Sequence, residues 1–291
     1  MHGSRNQQTI AKAVSVEGIG YWSGSDVRVE FHPADPDTGI VFVREDLPDK
    51  NRIPALLDNR HESPLRTTLC RGSAGVDMIE HIMAALAGLH VDNCEVHVDS
   101  QEMPGCDGSA LPFVEALDSA EIVPQAATRK QLVIDRVIRR GDENSWVEAR
   151  PCVTGQTILQ FKLDFGDDNP IGRQTFEVVV TPETFREQLA ASRTFMLEQE
   201  AKALQQQGLG KRTTYRDLLV FGQDGPLDNE LRFDDECVRH KLVDMVGDLA
   251  LAGCDLHGRF VAYRSGHRLN AELVGAIHSD AARCDSLRRC A

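Results

Sequence analysis

The chain has 291 residues, of which 41% are apolar, and this length accommodates two domains more readily than one. Its formal net charge of -13 argues against a general nucleic-acid binder, although local lysine or arginine side chains can still hold one anionic small molecule. No apolar run approaches the ~20 residues that a membrane-spanning helix needs, and residues 1–8 lack the apolar core of a secretory signal. We therefore expect a cytoplasmic protein without a transmembrane segment.

The first half of the chain carries strand signals, followed by two helix signals. A strongly apolar segment predicts a helix that Gly88 ends, and Ser109 and Pro112 favour the start of a second helix. The predicted elements are strands at residues 26–31 and 39–44, a helix at 76–89, a strand at 94–98 and a helix that starts in the segment 107–112 and runs to about 117.

The second half repeats this order after a composition shift at residues 122–129, where we place a domain boundary. The predicted elements are strands at 131–139, 145–149, 156–164 and 174–180, helices at 182–207 and 234–251, and a strand at 259–264. These patterns predict an α+β fold with two similarly built domains, residues 1–125 and 129–291, packed through their helices. The polar tail at 279–291 is expected to be poorly ordered.

The eight cysteines indicate neither a structural metal cluster nor a disulfide framework. None belongs to a C-x-x-C pair, and a cytosolic chain of this size keeps its thiols reduced. We expect free thiols, mostly buried, at Cys70, Cys94, Cys106, Cys152, Cys237, Cys254, Cys284 and Cys290.

The first candidate functional pair lies in the predicted helix at 76–89, which is apolar on nearly every side except at Glu80 and His81. Burying an acid and a histidine together is costly unless they are paired or bind a metal. Considered alone, a hydrogen-bonded histidine beside a solvated glutamate explains this segment equally well.

The second candidate group lies in the predicted helix at 234–251. His240, Asp244 and Asp248 follow one another at intervals of four, so they share a face away from the apolar stripe, and Lys241 lies beside them. A histidine and an aspartate one turn apart can bind the same ion. Alone, this segment is more simply a solvated charged face with a weak His–Asp pair.

His267 is the third candidate, since it follows a strand and a glycine turn, where catalytic residues often lie. In isolation it is more simply a surface-loop residue. Together with the two helices, however, it completes a coherent site. His81, His240 and Asp244 would bind Zn²⁺ and leave a fourth position for a water molecule.

The remaining polar residues match the other tasks of metal-assisted amide hydrolysis. Glu80 can take a proton from the attacking water as general base. His267, if protonated, can stabilise the oxyanion and then protonate the leaving amine. Asp248 can orient His267 and keep it charged.

Several blocks in order make the chain resemble the UDP-3-O-acyl-N-acetylglucosamine deacetylase family over about residues 8–273. The strongest blocks are Glu80-His81 with Ala84 to Gly88, Asp92-Asn93, Asp107 to Ala110, Pro112 to Val114, Arg193 to Phe195, Arg239 to Lys241 with Asp244, Gly247-Asp248, and Ser265 to His267 with Asn270. The resemblance implies a zinc-dependent enzyme of the first committed step of lipid A synthesis, built from two α/β sandwich domains with the active site between them.

The resemblance implies the same ligands, base and acid, and it adds three residues. It gives Thr194 a hydrogen bond to the tetrahedral oxyanion, Lys241 a contact with the phosphate-bearing part of the substrate, and Phe195 a position near an acyl passage. The resemblance implies that an insertion in the second domain forms this passage. Without the resemblance, a turn cap for Thr194 and a core aromatic for Phe195 are equally good interpretations.

The partner is then a small UDP-acyl-sugar and not a nucleic acid, and transient contact with a membrane surface fits so lipid-like a substrate. Fe²⁺ can occupy the same ligands as zinc. Three alternatives remain: a metal-dependent N-deacylase for another N-acyl sugar, a non-catalytic binding protein with this fold, and a non-haem Fe(II) oxygenase. The first is favoured by residues 211–216, which replace the family's usual segment.

Overall fold

The computed structural model describes residues 5–48 and 51–290, with side chains given up to Cys284 in the last helix. The first half of the chain contains ten strands, a short 3-10 turn at Leu57–Asn59 and two helices. They are β1 (Asn6–Ile10), β2 (Val14–Ile19), β3 (Asp26–Pro33), β4 (Ile40–Arg44), β5 (Arg52–Pro54), β6 (Arg60–His61), β7 (Thr68–Arg71), β8 (Ala74–Asp77), α1 (Glu80–Gly88), β9 (Cys94–Val98), α2 (Leu111–Ser119) and β10 (Ile122–Thr128).

The second half contains eight strands and four helices, with a π-turn at Phe185–Leu189. They are β11 (Gln131–Val133), β12 (Ile138–Gly141), β13 (Trp146–Arg150), β14 (Thr157–Asp164), β15 (Arg173–Val179), α3 (Pro182–Thr184), β16 (Phe195–Leu197), α4 (Glu198–Gln206), β17 (Leu219–Phe221), α5 (Glu236–Ala250), β18 (Asp255–Tyr263) and α6 (His267–Cys290). The predicted α+β class is confirmed.

The two main sheets share one topology. The first has the order β2-β3-β9-β4-β5 and the second the order β12-β13-β18-β14-β15, with β11 beside β18. In each sheet the strand that comes last in the chain lies in the middle, between two antiparallel pairs of strands. This central strand, β9 or β18, runs parallel to its neighbour β4 or β14. In each half one helix precedes that last strand and another follows it, so α1 corresponds to α5 and α2 to α6. The two halves are therefore similarly built, as predicted.

Alternating burial explains how each sheet forms one wall of the core. Val27, Val29 and Phe31 of β3 are buried, whereas the residues between them are exposed or half-buried. Leu159, Phe161 and Leu163 repeat this pattern in β14. The helices cover the buried face of each sheet, and α1 packs directly against α5. Both helices come together between the sheets, where they position the candidate site.

Three predicted elements differ from the structure. Residues 76–77 belong to β8, which pairs with β7, and the left-handed backbone of Met78 separates this strand from the helix, so α1 begins only at Glu80. The predicted helix at 182–207 is wrong in its middle, because residues 195–197 form β16 and pair in parallel with β17. Residues 279–290, predicted to be poorly ordered, continue helix α6, while Ala291 lies outside the described residues.

The segment predicted as a boundary is itself a strand, since β10 pairs antiparallel with β1. The domain limits at 125 and 129 stay a prediction. The seven cysteines with described side chains are free, as predicted, although only Cys94 and Cys237 are buried and the other five are half-buried. None of the helices in the described part of the chain combines the length and the apolar content that crossing a bilayer requires.

The close approach of α1 and α5 depends on Gly247. A Cβ atom at this position would lie 2.2 Å from the carbonyl oxygen of Glu80 and 3.2 Å from the backbone nitrogen of Ala84. Only glycine lets the two helix backbones approach this closely, and the approach brings the start of α1 beside the polar face of α5.

Gly247→Ala should therefore force the two helices apart. We expect the free energy of unfolding in urea to fall by about 1–3 kcal/mol, the usual cost of overpacking. The matched control is Gly275→Ala in α6, where the added Cβ would meet only a Leu57 side-chain carbon at 3.4 Å. A Gly247→Ala protein as stable as its Gly275→Ala counterpart would contradict this account of the helix contact.

Candidate metal centre

Three buried side chains from the two packed helices meet at one point. Nε2 of His240 lies 3.3 Å from Oδ1 of Asp244, and Nε2 of His81 lies 3.8 Å from the same oxygen. The imidazole rings of His81 and His240 stand at 84° to each other with centroids 5.0 Å apart. One ligand atom from each residue lies within 4.8 Å of the other two. Helix α1 supplies one ligand, and α5 supplies two from successive turns.

The protonation of these groups suits cation binding. Burial lowers the pKa of His81 to about 3, and His240 adds to this shift, so the His81 ring is neutral at pH 7. Burial alone would raise the pKa of Asp244, but Lys241 and His240 hold it well below its usual range. The site therefore offers an imidazole lone pair beside a full carboxylate charge.

His240 is oriented toward Asp244 by a hydrogen bond on its other ring nitrogen. Its Nδ1 lies 3.0 Å from the carbonyl oxygen of Ser192, which can only accept, so Nδ1 carries the proton. Nε2 then faces Asp244 Oδ1 at 3.3 Å, a contact that either a proton on Nε2 or a bound cation satisfies. Zinc bonds of about 2.0–2.2 Å require tetrahedral ligand atoms about 3.3–3.6 Å apart, which matches this spacing. Among the residues that the structure describes, this trio is the one group that fits a metal ion.

Glu80 and His267 face each other beside this trio. Nε2 of His267 lies 4.0 Å from Oε1 of Glu80. Burial raises the pKa of Glu80 to about 7, although the charge of His267 opposes this shift. Burial would lower the pKa of His267, but the adjacent Asp248 carboxylate raises it to about 10. A carboxylate that can accept a proton thus stands opposite an imidazolium that can donate one.

Asp248 is held on both of its oxygens. Oδ2 accepts hydrogen bonds from Nδ1 of His267 at 2.9 Å and from Nδ2 of Asn270 at 2.8 Å. Oδ1 accepts the hydroxyl hydrogen of Thr67 at 2.6 Å. The Ser265 hydroxyl in turn donates to Oδ1 of Asn270 at 2.8 Å. This network fixes the His267 ring with Nε2 on the side of Glu80.

Thr194 and Phe195 lie at the start of β16, in the segment that also supplies the Ser192 carbonyl. The Thr194 N–H donates to the carbonyl oxygen of Gly108 at 2.7 Å, and no hydrogen bond from its hydroxyl to another described residue is present. Phe195 packs edge-on against His240, with centroids 6.4 Å apart. Both residues line the cleft, so their predicted positions near the reaction centre are compatible with the structure.

The neighbouring Arg193 points into the interior and ties this segment to the start of α5. Its Nε lies 2.8 Å from Oε1 of Glu236, which is fully buried, and its backbone N–H bonds to the same oxygen at 3.0 Å. No role was predicted for Glu236 from the sequence. Its position as the first residue of α5, one turn before His240, is the signal that could have found it.

Lys241 is paired within the centre. Its Nζ donates to Oδ2 of Asp244 at 2.8 Å and lies 5.6 Å from the centroid of the Phe195 ring. Burial would lower the pKa of Lys241, but Asp244 raises it, so the side chain keeps its charge. Its predicted contact with substrate phosphate stays a prediction, and any such contact would be shared with Asp244.

A cleft of about 1110 Å³ opens over the trio and is lined by residues from both halves. Its apolar wall comes mainly from the segment of β16 and α4 and from the turn before β3. The apolar lining includes Tyr21, Trp22, Met78, Phe195, Met196, Ala203, Leu204 and Leu218. Its polar lining includes Glu80, His81, Thr194, His240, Lys241, Asp244, Arg264 and His267. The cleft thus combines a candidate metal site with an apolar wall.

Comparisons with known proteins agree with this geometry. Residues 7–279 match the family model described as UDP-3-O-acyl N-acetylglycosamine deacetylase. Proteins named UDP-3-O-acyl-N-acetylglucosamine deacetylase from Brucella ovis, Brucella canis and Brucella abortus strain S19 are each 41% identical to this chain over 276 residues. Each alignment covers 94% of this chain and 96% of the relative.

Proposed function

Since this chain belongs to the UDP-3-O-acyl N-acetylglycosamine deacetylase family, we propose that it hydrolyses the N-acetyl amide of UDP-3-O-acyl-N-acetylglucosamine and releases acetate. This is the committed step of lipid A biosynthesis. The observation that carries the proposal is the buried trio of His81, His240 and Asp244, with Glu80 and His267 facing the same cleft. The names of the relatives supply the substrate, and the geometry supports the class of reaction.

His81, His240 and Asp244 are the residues that would hold the metal ion. Two imidazoles and one carboxylate are a donor set of catalytic zinc sites, and Fe²⁺ also accepts these ligands. When bound, the ion polarises a carbonyl group and lowers the pKa of a water molecule to about 7. We assign zinc as the resident ion.

The other residues of the cleft move the protons and hold the substrate. Glu80 takes a proton from the attacking water as the water oxygen bonds to the acetyl carbon. Thr194 donates its hydroxyl hydrogen to the resulting oxyanion, and His267, oriented by Asp248, gives its proton to the nitrogen as the C–N bond breaks. Acetic acid and a free amine result; the acid gives its proton to solvent and leaves as acetate, and the proton on Glu80 restores His267.

The substrate's two ends match two parts of the cleft. The apolar wall around Phe195 suits the acyl chain, whereas the diphosphate of a UDP group needs a cation. Lys241 is one candidate, and Arg264 is a second, because it lies exposed at the rim and makes no salt bridge with a described residue. The proposed partner is a small UDP-acyl-sugar, met in the cytoplasm or transiently at a membrane surface.

The pH dependence of kcat/KM should report the pKa of His267, which Asp248 raises. His267 is active when protonated, so the alkaline limb of kcat/KM should follow its pKa of about 10. Asp248→Asn removes the charge that raises this pKa, while burial still lowers it, so we expect the limb to move to lower pH. The control is Glu272→Gln, which removes an exposed charge on the same helix as His267. An unchanged limb in Asp248→Asn would contradict the assignment of His267 as general acid.

Acetate release from UDP-3-O-acyl-N-acetylglucosamine tests the function directly. We expect turnover of this compound and none of an O-acyl-N-acetylglucosamine that lacks UDP. Turnover of the second compound alone would instead support an N-deacylase for another substrate, which the unusual segment at residues 211–216 favours. This segment docks on the first half, where Arg212 bonds to Asp26 and the Thr213 hydroxyl donates to the Tyr21 carbonyl.

A further inference from the structure

Thr67 is a buried residue, 1% exposed, that directly precedes β7 and stands between two groups of the metal centre. Its N–H donates to Oε2 of Glu80 at 3.0 Å, and its hydroxyl donates to Oδ1 of Asp248 at 2.6 Å. Its carbonyl oxygen accepts the N–H of Ile79, the residue before α1, at 3.3 Å. The N–H, hydroxyl and carbonyl of Thr67 therefore all make hydrogen bonds, either to a carboxylate of the candidate site or to the residue that precedes α1.

These bonds join the two halves of the protein. Thr67 and Glu80 belong to the first half, whereas Asp248 lies on α5, 181 residues further along the chain than Thr67. A salt bridge cannot make this link, because Glu80 and Asp248 both carry acidic side chains. Thr67 makes the link because its N–H and its hydroxyl donate to two different carboxylates.

The two carboxylates are held in a way that leaves their other oxygens for chemistry. Because Thr67 binds Oε2 of Glu80, Oε1 faces His267 at 4.0 Å. Because Thr67 binds Oδ1 of Asp248, Oδ2 accepts the Nδ1 hydrogen of His267. Among the described residues, no other side chain donates to Oδ1 of Asp248. Thr67 thus sets the orientation of the base and, through Asp248, of the acid.

We propose that Thr67 is a positioning residue for the hydrolysis, holding Glu80 and the Asp248–His267 pair in register across the contact between the two halves. This inference rests on the proposed function. Proton transfer depends steeply on geometry, and groups of a catalytic site must be held within about 0.5 Å of their productive positions. Loss of one supporting hydrogen bond should therefore lower turnover without removing any group that touches the substrate.

A purely structural role for Thr67 makes a different prediction. A buried carboxylate oxygen without a hydrogen-bond donor is costly, so removing the hydroxyl that binds Oδ1 of Asp248 would lower stability in either case. If the hydroxyl only satisfied Asp248, the folded enzyme would keep its turnover number. A measurement of kcat therefore distinguishes the two roles, whereas a measurement of the free energy of unfolding does not.

The test compares Thr67→Val with Thr67→Ser. Valine keeps the shape of the side chain and the backbone N–H to Glu80 but lacks the hydroxyl, whereas serine keeps the hydroxyl. We expect Thr67→Val to lower kcat for acetate release about 10–100-fold, with KM nearly unchanged, and Thr67→Ser to restore kcat close to that of the unaltered chain. Thr67→Ala, which also lacks the hydroxyl but adds no bulk, gives a second measurement if the valine protein does not fold.

The matched control is Thr68→Val in the next residue. The Thr68 hydroxyl is also buried and donates to a carboxylate, Oδ1 of Asp77, at 2.8 Å, but Asp77 has no part in the proposed reaction. We expect this variant to lose stability and keep its kcat. If the unaltered chain is active and the Thr67→Val and Thr68→Val proteins have equal kcat values, the positioning role of Thr67 is overturned while the proposed function stands. If the unaltered chain released no acetate, the proposed function and the role of Thr67 would both fail.

Discussion

Replacing Glu80 with glutamine should lower kcat for acetate release by about 10²–10⁴, the usual contribution of a general base. The amide keeps the size of the side chain and can still accept the Thr67 N–H, but it cannot take a proton from water. Glu80 is not one of the three proposed metal ligands, so the metal content of the variant should equal that of the unaltered chain. Initial rates and elemental analysis of the same preparation measure both quantities.

The control for this variant is Glu62→Gln at the rim of the same cleft. Glu62 lines the cleft and pairs with Arg60, but it lies outside the network that joins Glu80 to His267. We expect its kcat to stay close to that of the unaltered chain. Full turnover of the Glu80→Gln protein would remove Glu80 as the base, and loss of its metal would indicate a structural role instead.

Replacing Asp244 with alanine should abolish metal retention and, with it, nearly all turnover. The variant removes the oxygen that both Nε2 atoms face at 3.3 and 3.8 Å, and it leaves two imidazoles alone to hold the ion. It also removes the partner of Lys241, whose half-buried positive charge then repels a cation. We expect the variant to lose its metal on dialysis against buffer, where the unaltered chain keeps one ion.

Asp248→Asn is the control for metal retention, since Asp248 lies one turn further along the same helix and faces His267. It should keep the metal while turnover falls, because the acid loses its orienting partner. Both variants change one aspartate on one face of α5, so general effects on the helix cancel. Equal metal content in the Asp244→Ala and Asp248→Asn proteins would contradict the ligand assignment.

Much of the fold was predictable from local patterns. Alternating burial in β3 and β14 and the apolar run before Gly88 are properties of short segments. They can therefore be recognised without knowledge of the tertiary structure. The shared topology of the two sheets was predictable only as an order of strands and helices, because residue-level repeats are absent. The helix predicted at 182–207 was wrong since pairing of β16 with β17, a contact between distant segments, overrides local helix preference.

The candidate site also has one part that local patterns predict and another that depends on tertiary contacts. Spacing by four residues predicted that His240, Asp244 and Asp248 share a face, and a regular helix preserves that geometry. The meeting of α1 with α5 depends on the absence of a side chain at Gly247, which helical periodicity does not reveal, although this glycine stands in one of the blocks that carry the family resemblance. Thr67 was not predicted at all. A threonine in a polar loop carries no signal of a bond to a carboxylate 181 residues away.

The measurement that tests the central claim most directly is the metal environment of the protein itself. X-ray absorption at the zinc edge, or anomalous diffraction from a crystal of the zinc-loaded chain, reports the identity and number of the atoms bound to the ion. We predict one ion bound by the two Nε2 atoms of His81 and His240 and by Oδ1 of Asp244, at about 2.0–2.2 Å. An ion bound elsewhere, or an environment with sulfur ligands, would contradict the account.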